Sequence, residues 1–385
     1  MGRTTSESYP ALLLFTDIID SSVHSSYLGT KDFADRVLRF QGLFQALGDI
    51  YFPERRESDR VTEWARIRSQ GDEGLVFILD AKRNRKELVF RAVRFAFELK
   101  VRWYLAVQQM IKSPPNPAPK GMEIAIGMHY GEVTSIVELE GKAQNRQLIT
   151  DIIGYSINYA KRVESSSRVG RFSKVFLSED TARLLADAEV FLFQHNVPLK
   201  GIGDAEPVYE ARGLIHATPI IGEYAGGVTK EQVAELLSGR AGHRDLLSVP
   251  WLRSYAVAVS MCAEGTEVKA FDGLLGTIGS ENEEDPICLF CQAQECNRVG
   301  KYTRAISYLK KVLKDNPNFK RGRLMLIDDC WKALESKGSL TADHIFVRDA
   351  ADEMLSNEGS TLSPEEKESL ERVIQKVAAA NTPKS

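Results

Sequence analysis

Asp17, in the run LFTDIIDSS, and Asp72, in SQGDEGLVF, each stand where an apolar, strand-like run ends. Two carboxylates of this kind, with a backbone carbonyl such as that of Ile18, make a hard-oxygen set suited to magnesium or manganese carrying a triphosphate. Two such cations activate an attacking hydroxyl and neutralise a departing pyrophosphate. Taken singly, either residue is ordinary, because many strands end in a solvated aspartate. A third element changes the weight of the pair. If DIIGYSINYAKRV, Asp151 to Val163, becomes helical after Gly154, Asn158 and Arg162 are four residues apart and project from one face. An amide and a guanidinium placed so can orient a ribose and stabilise charge on a transferred phosphoryl group.

The elements that must position these residues alternate between strand and helix patterns. Ala11 to Asp17 reads as a buried strand, and Phe33 to Leu47 has apolar residues at helical spacing. Arg66 to Asp80 reads as two strands joined by a Gly-Asp-Glu-Gly turn. Leu88 to Met110 is an amphipathic helix that the loop SPPNPAPKG, Ser113 to Gly121, must end. Met122 to His129 is a strand followed by a turn at Gly131, Lys174 to Leu177 is another strand, and Thr181 to Ala186 is helical. LKGIGDAEPVYEAR, Leu199 to Arg212, gives a turn and a final strand. This order predicts an α+β sandwich with helices packed on a sheet.

Beyond Leu214 strand patterns nearly vanish, and the chain from Thr229 onward is mostly helical in pattern. Pro286 to Pro317 resembles one tetratricopeptide unit, with Ala293, Gly300, Tyr302, Ala305, Leu309, Val312 and Pro317 at its small, turn and packing positions. Arg321 to Leu334 is a degenerate neighbour, and a generic helical hairpin is the alternative. A single repeat cannot bury its own face, so adjacent helices must complete the stack. The predicted division is a catalytic domain over 8–213, a connecting segment over 214–245 and an all-α, tetratricopeptide-like region over 246–385.

The chain has 385 residues, 43% of them hydrophobic and 27% charged, which is enough for two globular domains. Its formal net charge of −3 gives no overall field favouring nucleic acid or an anionic membrane, and neither is expected as a partner. No apolar run reaches membrane-spanning length, and Met1 to Tyr9 is polar, unlike a signal peptide. Five cysteines in no disulfide framework fit a reducing cytoplasm.

In order and spacing, the three chemical elements resemble the class III adenylate and guanylate cyclase catalytic domain, over roughly Ser8 to Arg212. IGMHYGEV, Ile126 to Val133, and LKGIGDAEPVYEAR also resemble strands of that family. The resemblance implies a ferredoxin-like palm that closes a nucleoside triphosphate into a 3′,5′-cyclic monophosphate and releases pyrophosphate. It implies that Asp17, Ile18 and Asp72 hold two divalent cations, magnesium or manganese. It places Arg68 where adenylate cyclases usually carry a base-contacting lysine, and Asp151 where the exocyclic amine of adenine is read. Asn158 matches the ribose-orienting amide and Arg162 the phosphate-stabilising arginine. It further implies a homodimer with shared active sites, one protomer supplying the carboxylates and its partner the base, ribose and phosphate residues.

The departures bear on the substrate. Arg presents a planar fork where Lys gives a point charge, so Arg68 changes the edge offered to a base. With Tyr51 upstream and the charged stretch Phe52 to Trp64, a smaller pocket is expected, favouring a pyrimidine. A divergent cyclase domain followed by a helical tail resembles the pyrimidine cyclases of bacterial Pycsar antiphage defence. UTP is the favoured substrate, with cyclic UMP as a second messenger. CTP and ATP remain open, because Asp151 can accept from an adenine or cytosine amine or from uracil N3–H. The activating signal, expected to act through the helical region, is unnamed.

Two rival readings fit parts of the sequence. A GGDEF-type diguanylate cyclase shares the GDEG run, but Gln70 stands where that family has a second glycine, and it lacks an Asn158–Arg162 helix at this distance. A catalytically dead sensor module would be expected to have lost a metal aspartate or the Asn–Arg pair, and all four residues are present. Cys288, Cys291 and Cys296 lie in one helical pattern without partners to close a tetrahedron, so packing explains them. His24 and His129 are read as structural.

Overall fold

The structure is a computed structural model, and it describes residues 4–53, 55–57, 60–80, 84–110, 122–140, 146–185, 190–214, 285–317, 319–337, 342–358 and 362–380. The chain divides into two compact units, Met1–Ala270 and Phe271–Ser385. The first unit runs β1 (Thr4–Ile18), α1 (Ser21–Leu28), α2 (Thr30–Tyr51), β2 (Arg55–Glu57), β3 (Arg60–Gln70), β4 (Glu73–Asp80), α3 (Arg85–Met110), β5 (Ile124–Glu140), β6 (Arg146–Ile153), α4 (Tyr155–Ser167), β7 (Val175–Ser178), α5 (Glu179–Arg183), β8 (Val190–Leu199) and β9 (Gly203–Leu214). The strands form one mixed sheet ordered β2-β3-β4-β1-β5-β7-β9-β8, with β6 paired to β5. Only β5 and β7 pair in parallel among the described strands. This is the α+β architecture that the strand and helix patterns predict.

Alternation along β1 assigns the two faces of the sheet. Side chains two apart in a strand share a face. Ala11 and Leu13 are buried with Phe77, Leu79, Val133, Ile152 and Ala160 of α4, and Phe15 packs against that cluster. Thr16 falls on the opposite face, close to Phe44 of α2 behind Gly74. That face carries an aromatic core, with Phe40 against Trp103 at 5.4 Å and Phe44 against Phe95 at 5.8 Å, both edge-on. Continuing the alternation puts Asp17 on the face covered by α4.

The seam between α4 and the sheet depends on one missing side chain. A Cβ on Gly127 of β5 would lie 2.1 Å from the backbone nitrogen of Glu164. Neither main chain can yield without opening the sheet or unwinding the helix. Gly127→Ala should therefore destabilise the first unit by about 3 kcal/mol, read as a lowered midpoint in thermal denaturation. A midpoint unchanged within error would show that the seam is looser than this.

Several elements differ from the sequence reading. The strand expected to stop before a turn at Gly131 continues to Glu140 and pairs with β6, Thr134 opposite Ile153. Gly131 serves packing instead: a Cβ there would meet His129 Nε2 at 2.5 Å and Ser156 Oγ at 2.6 Å. The helix expected after Gly154 is α4, beginning at Tyr155 with Gly154 at φ 147°, while Asp151 before it lies in β6, which runs to Ile153. Helix α1 has no counterpart among the predicted elements. The loop Ser113 to Gly121, nearly all of the connecting segment and the helical pattern from Thr229 to residue 284 lie outside the described residues.

In the second unit the described residues form α6 (Pro286–Arg298), α7 (Tyr302–Asp315), α8 (Lys320–Lys337), α9 (Ala342–Glu358) and α10 (Pro364–Ala380). Asp285 caps α6, its carboxylate accepting from the Ile287 and Cys288 amides at 3.0 and 3.3 Å, with Pro286 at the first helical position. Gly300, at φ 73°, turns α6 into α7, and Ala293, Ala305, Leu309 and Val312 are buried between them. Burial pushes the Cys291 thiol of α6 up. Among the described residues no helix is long and apolar enough to cross a membrane.

Candidate active site

Asp17 and Asp72 meet at one end of the sheet. Asp17 lies in the last residues of β1, opposite Glu73 of β4, and Asp72 lies in the turn just before Glu73. The turn is tied down from two sides. The Ile18 amide donates to the Asp72 carbonyl at 3.3 Å, and Gln41 Nε2 of α2 donates to the Gly71 carbonyl at 2.7 Å. Gly71 takes φ 58°, the left-handed geometry a tight turn needs.

The local electrostatics are strongly negative. Asp17 is 6% exposed. Its carboxyl is pushed up to about 6, first by burial and then by the neighbouring charges of Glu164 and Asp72, against the pull of Arg168 and Lys161. Glu164 of α4 is fully buried, and its Oε1 has no hydrogen-bond partner among the described residues. Two cations partly answer this charge. Lys161 Nζ spans Glu73 at 2.7 Å and Glu164 at 2.9 Å, and Arg168 Nη2 contacts Asp17 Oδ2.

This donor set fits divalent metal ions. The carboxylates of Asp17 and Asp72 are hard oxygens near enough to repel each other, which a cation would relieve, and the carbonyl of Ile18 is the next backbone oxygen along β1. Among the described residues no group of three or more His, Cys, Asp and Glu side chains is arranged to hold a metal. Magnesium generally uses one or two carboxylates and completes its shell with water and substrate phosphates, a demand that the pair Asp17 and Asp72 would meet.

The other expected site residues are positioned by different elements. Arg68, exposed on β3, pairs with Leu75 of β4, which packs with the α4-side cluster, so Arg68 shares the sheet face of Asp17. Asp151 is at the end of β6, opposite Ile136. Asn158 is exposed on α4, and Arg162 is half-buried on the same helix. At about 100° per residue, Asn158 and Arg162 form a stripe roughly 100° around α4 from the stripe of Lys161, Glu164 and Arg168 that faces the carboxylates. Within one chain, then, the acidic pair comes together, while the Asn158–Arg162 pair points elsewhere.

Tyr51 is a correction. It is 2% exposed at the end of α2, its hydroxyl donating to Glu98 Oε2 at 2.8 Å and its ring 5.7 Å from Phe95. Glu98 in turn holds Arg102 of the same helix at 2.6 Å. Tyr51 therefore belongs to the core on the α2–α3 face, across the sheet from Asp17, and cannot narrow a base pocket. His129 is structural in this arrangement: burial lowers it to about 4, its Nδ1 lies 2.9 Å from Ser178 Oγ, and its ring packs on Tyr159.

Sequence reasoning missed Lys161, Glu164 and Arg168. Their spacing of three and four residues along the Asn158–Arg162 helix was available, but nothing in the sequence says which strand end that stripe meets.

Residues 11–209 match the family described as the adenylate and guanylate cyclase catalytic domain. No curated protein matches the chain. Among solved structures, the adenylyl cyclase CyaB from P. aeruginosa is similar at 21% identity, covering 54% of this chain and 95% of its own, with a TM-score of 0.41. The guanylyl cyclase Cya2 is similar at 20% identity, covering 56% and 95%, also with a TM-score of 0.41. A class III adenylyl cyclase-like ATP-binding protein from Pseudomonas aeruginosa is similar at 12% identity, covering 88% and 74%, with a TM-score of 0.33. The family match spans half of the sequence and encloses both the carboxylate pair and the Asn158–Arg162 helix, so this chain belongs to the adenylate and guanylate cyclase catalytic-domain family.

Proposed function

We propose that this chain is a homodimeric pyrimidine nucleotide cyclase, converting UTP to cyclic UMP and pyrophosphate as a second messenger in bacterial antiviral defence. The coarser activity, nucleotide cyclisation, follows from the family, whose members generally use divalent metal ions and usually work as dimers. The carrying observation is the split geometry: Asp17 and Asp72 converge, while Asn158 and Arg162 lie on another stripe of α4, about 100° around the helix from the one that meets them.

In this reading the ribose 3′-hydroxyl attacks the α-phosphorus, the bond from that phosphorus to the β-bridging oxygen breaks, and the hydroxyl proton leaves to solvent. Divalent cations, when bound, acidify the hydroxyl and neutralise the pyrophosphate. Asp17, Asp72 and the Ile18 carbonyl hold them. Asn158 of the partner subunit orients the ribose, and Arg162 of the partner subunit meets charge building on the transferred phosphoryl group. Arg68 and Asp151 read the base. The catalytic part spans 8–213 and joins through 214–245 to a tetratricopeptide-like region, 246–385, that receives the activating signal in the cytoplasm. With Tyr51 in the core, the pyrimidine preference rests on Arg68 and the stretch Phe52 to Trp64.

The test is kcat/KM with manganese for ATP, GTP, CTP and UTP, with cyclic products separated by chromatography. UTP should lead. A tenfold preference for ATP, about 1.4 kcal/mol in transition-state binding, rejects the pyrimidine reading and leaves the cyclase intact.

A further inference from the structure

The carboxylate that the proposed chemistry most needs is already engaged. Arg168 follows the last residue of α4, and its side chain, 44% exposed, reaches back to Asp17, whose side chain is 9% exposed. The surrounding charges are Asp72 from the β3–β4 turn, Glu73 from β4, and Glu164 and Lys161 from α4. Lys161 is committed to Glu73 and Glu164, so among the described residues Arg168 is the cation that contacts Asp17 directly. A metal ion that takes Asp17 Oδ2 competes for the same lone pairs.

An ion pair with one half-exposed partner is cheap to open, because water rehydrates the long, mobile side chain. Once displaced, the guanidinium stays within a side-chain length of whatever Asp17 binds. If that is a cation carrying phosphates, their oxygens are the natural new partner, since the planar guanidinium fork fits phosphate bidentately.

We infer that Arg168 is an exchangeable counter-ion: it holds Asp17 while the site is empty of metal, and passes to the polyphosphate chain when cations take Asp17. The inference rests on reading Asp17 as a metal ligand. It makes Arg168 both a competitor of the metal and a contact for the triphosphate.

The two roles have opposite signs in binding, which a merely structural residue would not produce. Full-length wild type, Arg168→Ala, Arg168→Lys and Asp17→Asn are titrated calorimetrically with Mn²⁺ alone, then with inorganic tripolyphosphate at saturating Mn²⁺. Tripolyphosphate makes the result independent of the base. Arg168→Ala should bind Mn²⁺ roughly three- to tenfold more tightly than wild type and tripolyphosphate several-fold more weakly. Arg168→Lys should lie between the two. Unchanged Mn²⁺ affinity in Arg168→Ala, where Asp17→Asn has lost Mn²⁺ binding, overturns the exchange and leaves the metal assignment standing. Undiminished tripolyphosphate binding overturns the hand-over. If Asp17→Asn binds Mn²⁺ as wild type does, the metal assignment falls and the inference falls with it.

Discussion

Asp17→Ala and Asp72→Ala should each abolish turnover, by at least about 1,000-fold or roughly 4 kcal/mol, while the protein stays folded. The two halves of this expectation have different physical origins. Activity is lost because Asp17 and Asp72 are the converging hard-oxygen donors, so losing either leaves the remaining carboxylate and the Ile18 carbonyl to hold the cations. Stability is kept because neither carboxylate packs the core. Asp17 is buried against the like charges of Glu164 and Asp72, a position in which an ionised group opposes folding. Its removal relieves that repulsion, so the melting temperature of Asp17→Ala should match or exceed that of wild type. Circular dichroism and a pyrophosphate-release assay on the same preparations check both halves. Near wild-type turnover in either folded variant removes the metal assignment.

Mixing two dead variants should restore activity. Asp72→Ala alone and Asn158→Ala alone each leave every site of a homodimer with one fault. In a heterodimer of the two, one site carries both faults and the other carries neither, provided the two-fold axis relates equivalent shared sites. With random exchange at equal concentrations, half the dimers are mixed and half of their sites intact, so about a quarter of wild-type activity returns. The motivation is the stripe geometry on α4. Lys161, Glu164 and Arg168 face the acidic pair within the chain, and Asn158 and Arg162 do not. A mixture that exchanges subunits, shown by differently tagged chains, yet stays inactive would mean that each site is built within one chain.

Much of this was legible before the structure. The strand ends at Asp17 and Asp72, the Gly71 turn and the helix carrying Asn158 and Arg162 are local features. Apolar runs of strand length, a left-handed glycine and an i, i+4 pair are encoded in neighbouring residues, so periodicity reads them directly. The helix-turn-helix at Pro286 to Pro317 was legible for the same reason, with a proline at the start of α6 and a glycine between the helices.

Tyr51 shows where local reading ends. Its distance from Arg68 in sequence says nothing about which face of the sheet it joins. That is decided by α2 packing its Phe40 and Phe44 against α3. The strand through Gly131 is similar, because a glycine signals either a turn or a close approach, and only the positions of His129 and Ser156 choose between them. The charge around Asp17 was equally hidden. Glu164 and Arg168 lie about 150 residues from it in sequence and meet it only because Gly127 lets α4 sit down on β5. The sequence by itself determined the candidate residues and the secondary structure that presents most of them, since both are read from short segments. The tertiary structure decided which of them face each other, because packing across the sheet, and not spacing along the chain, fixes the sides on which Asp17, Arg68, Asn158 and Tyr51 emerge.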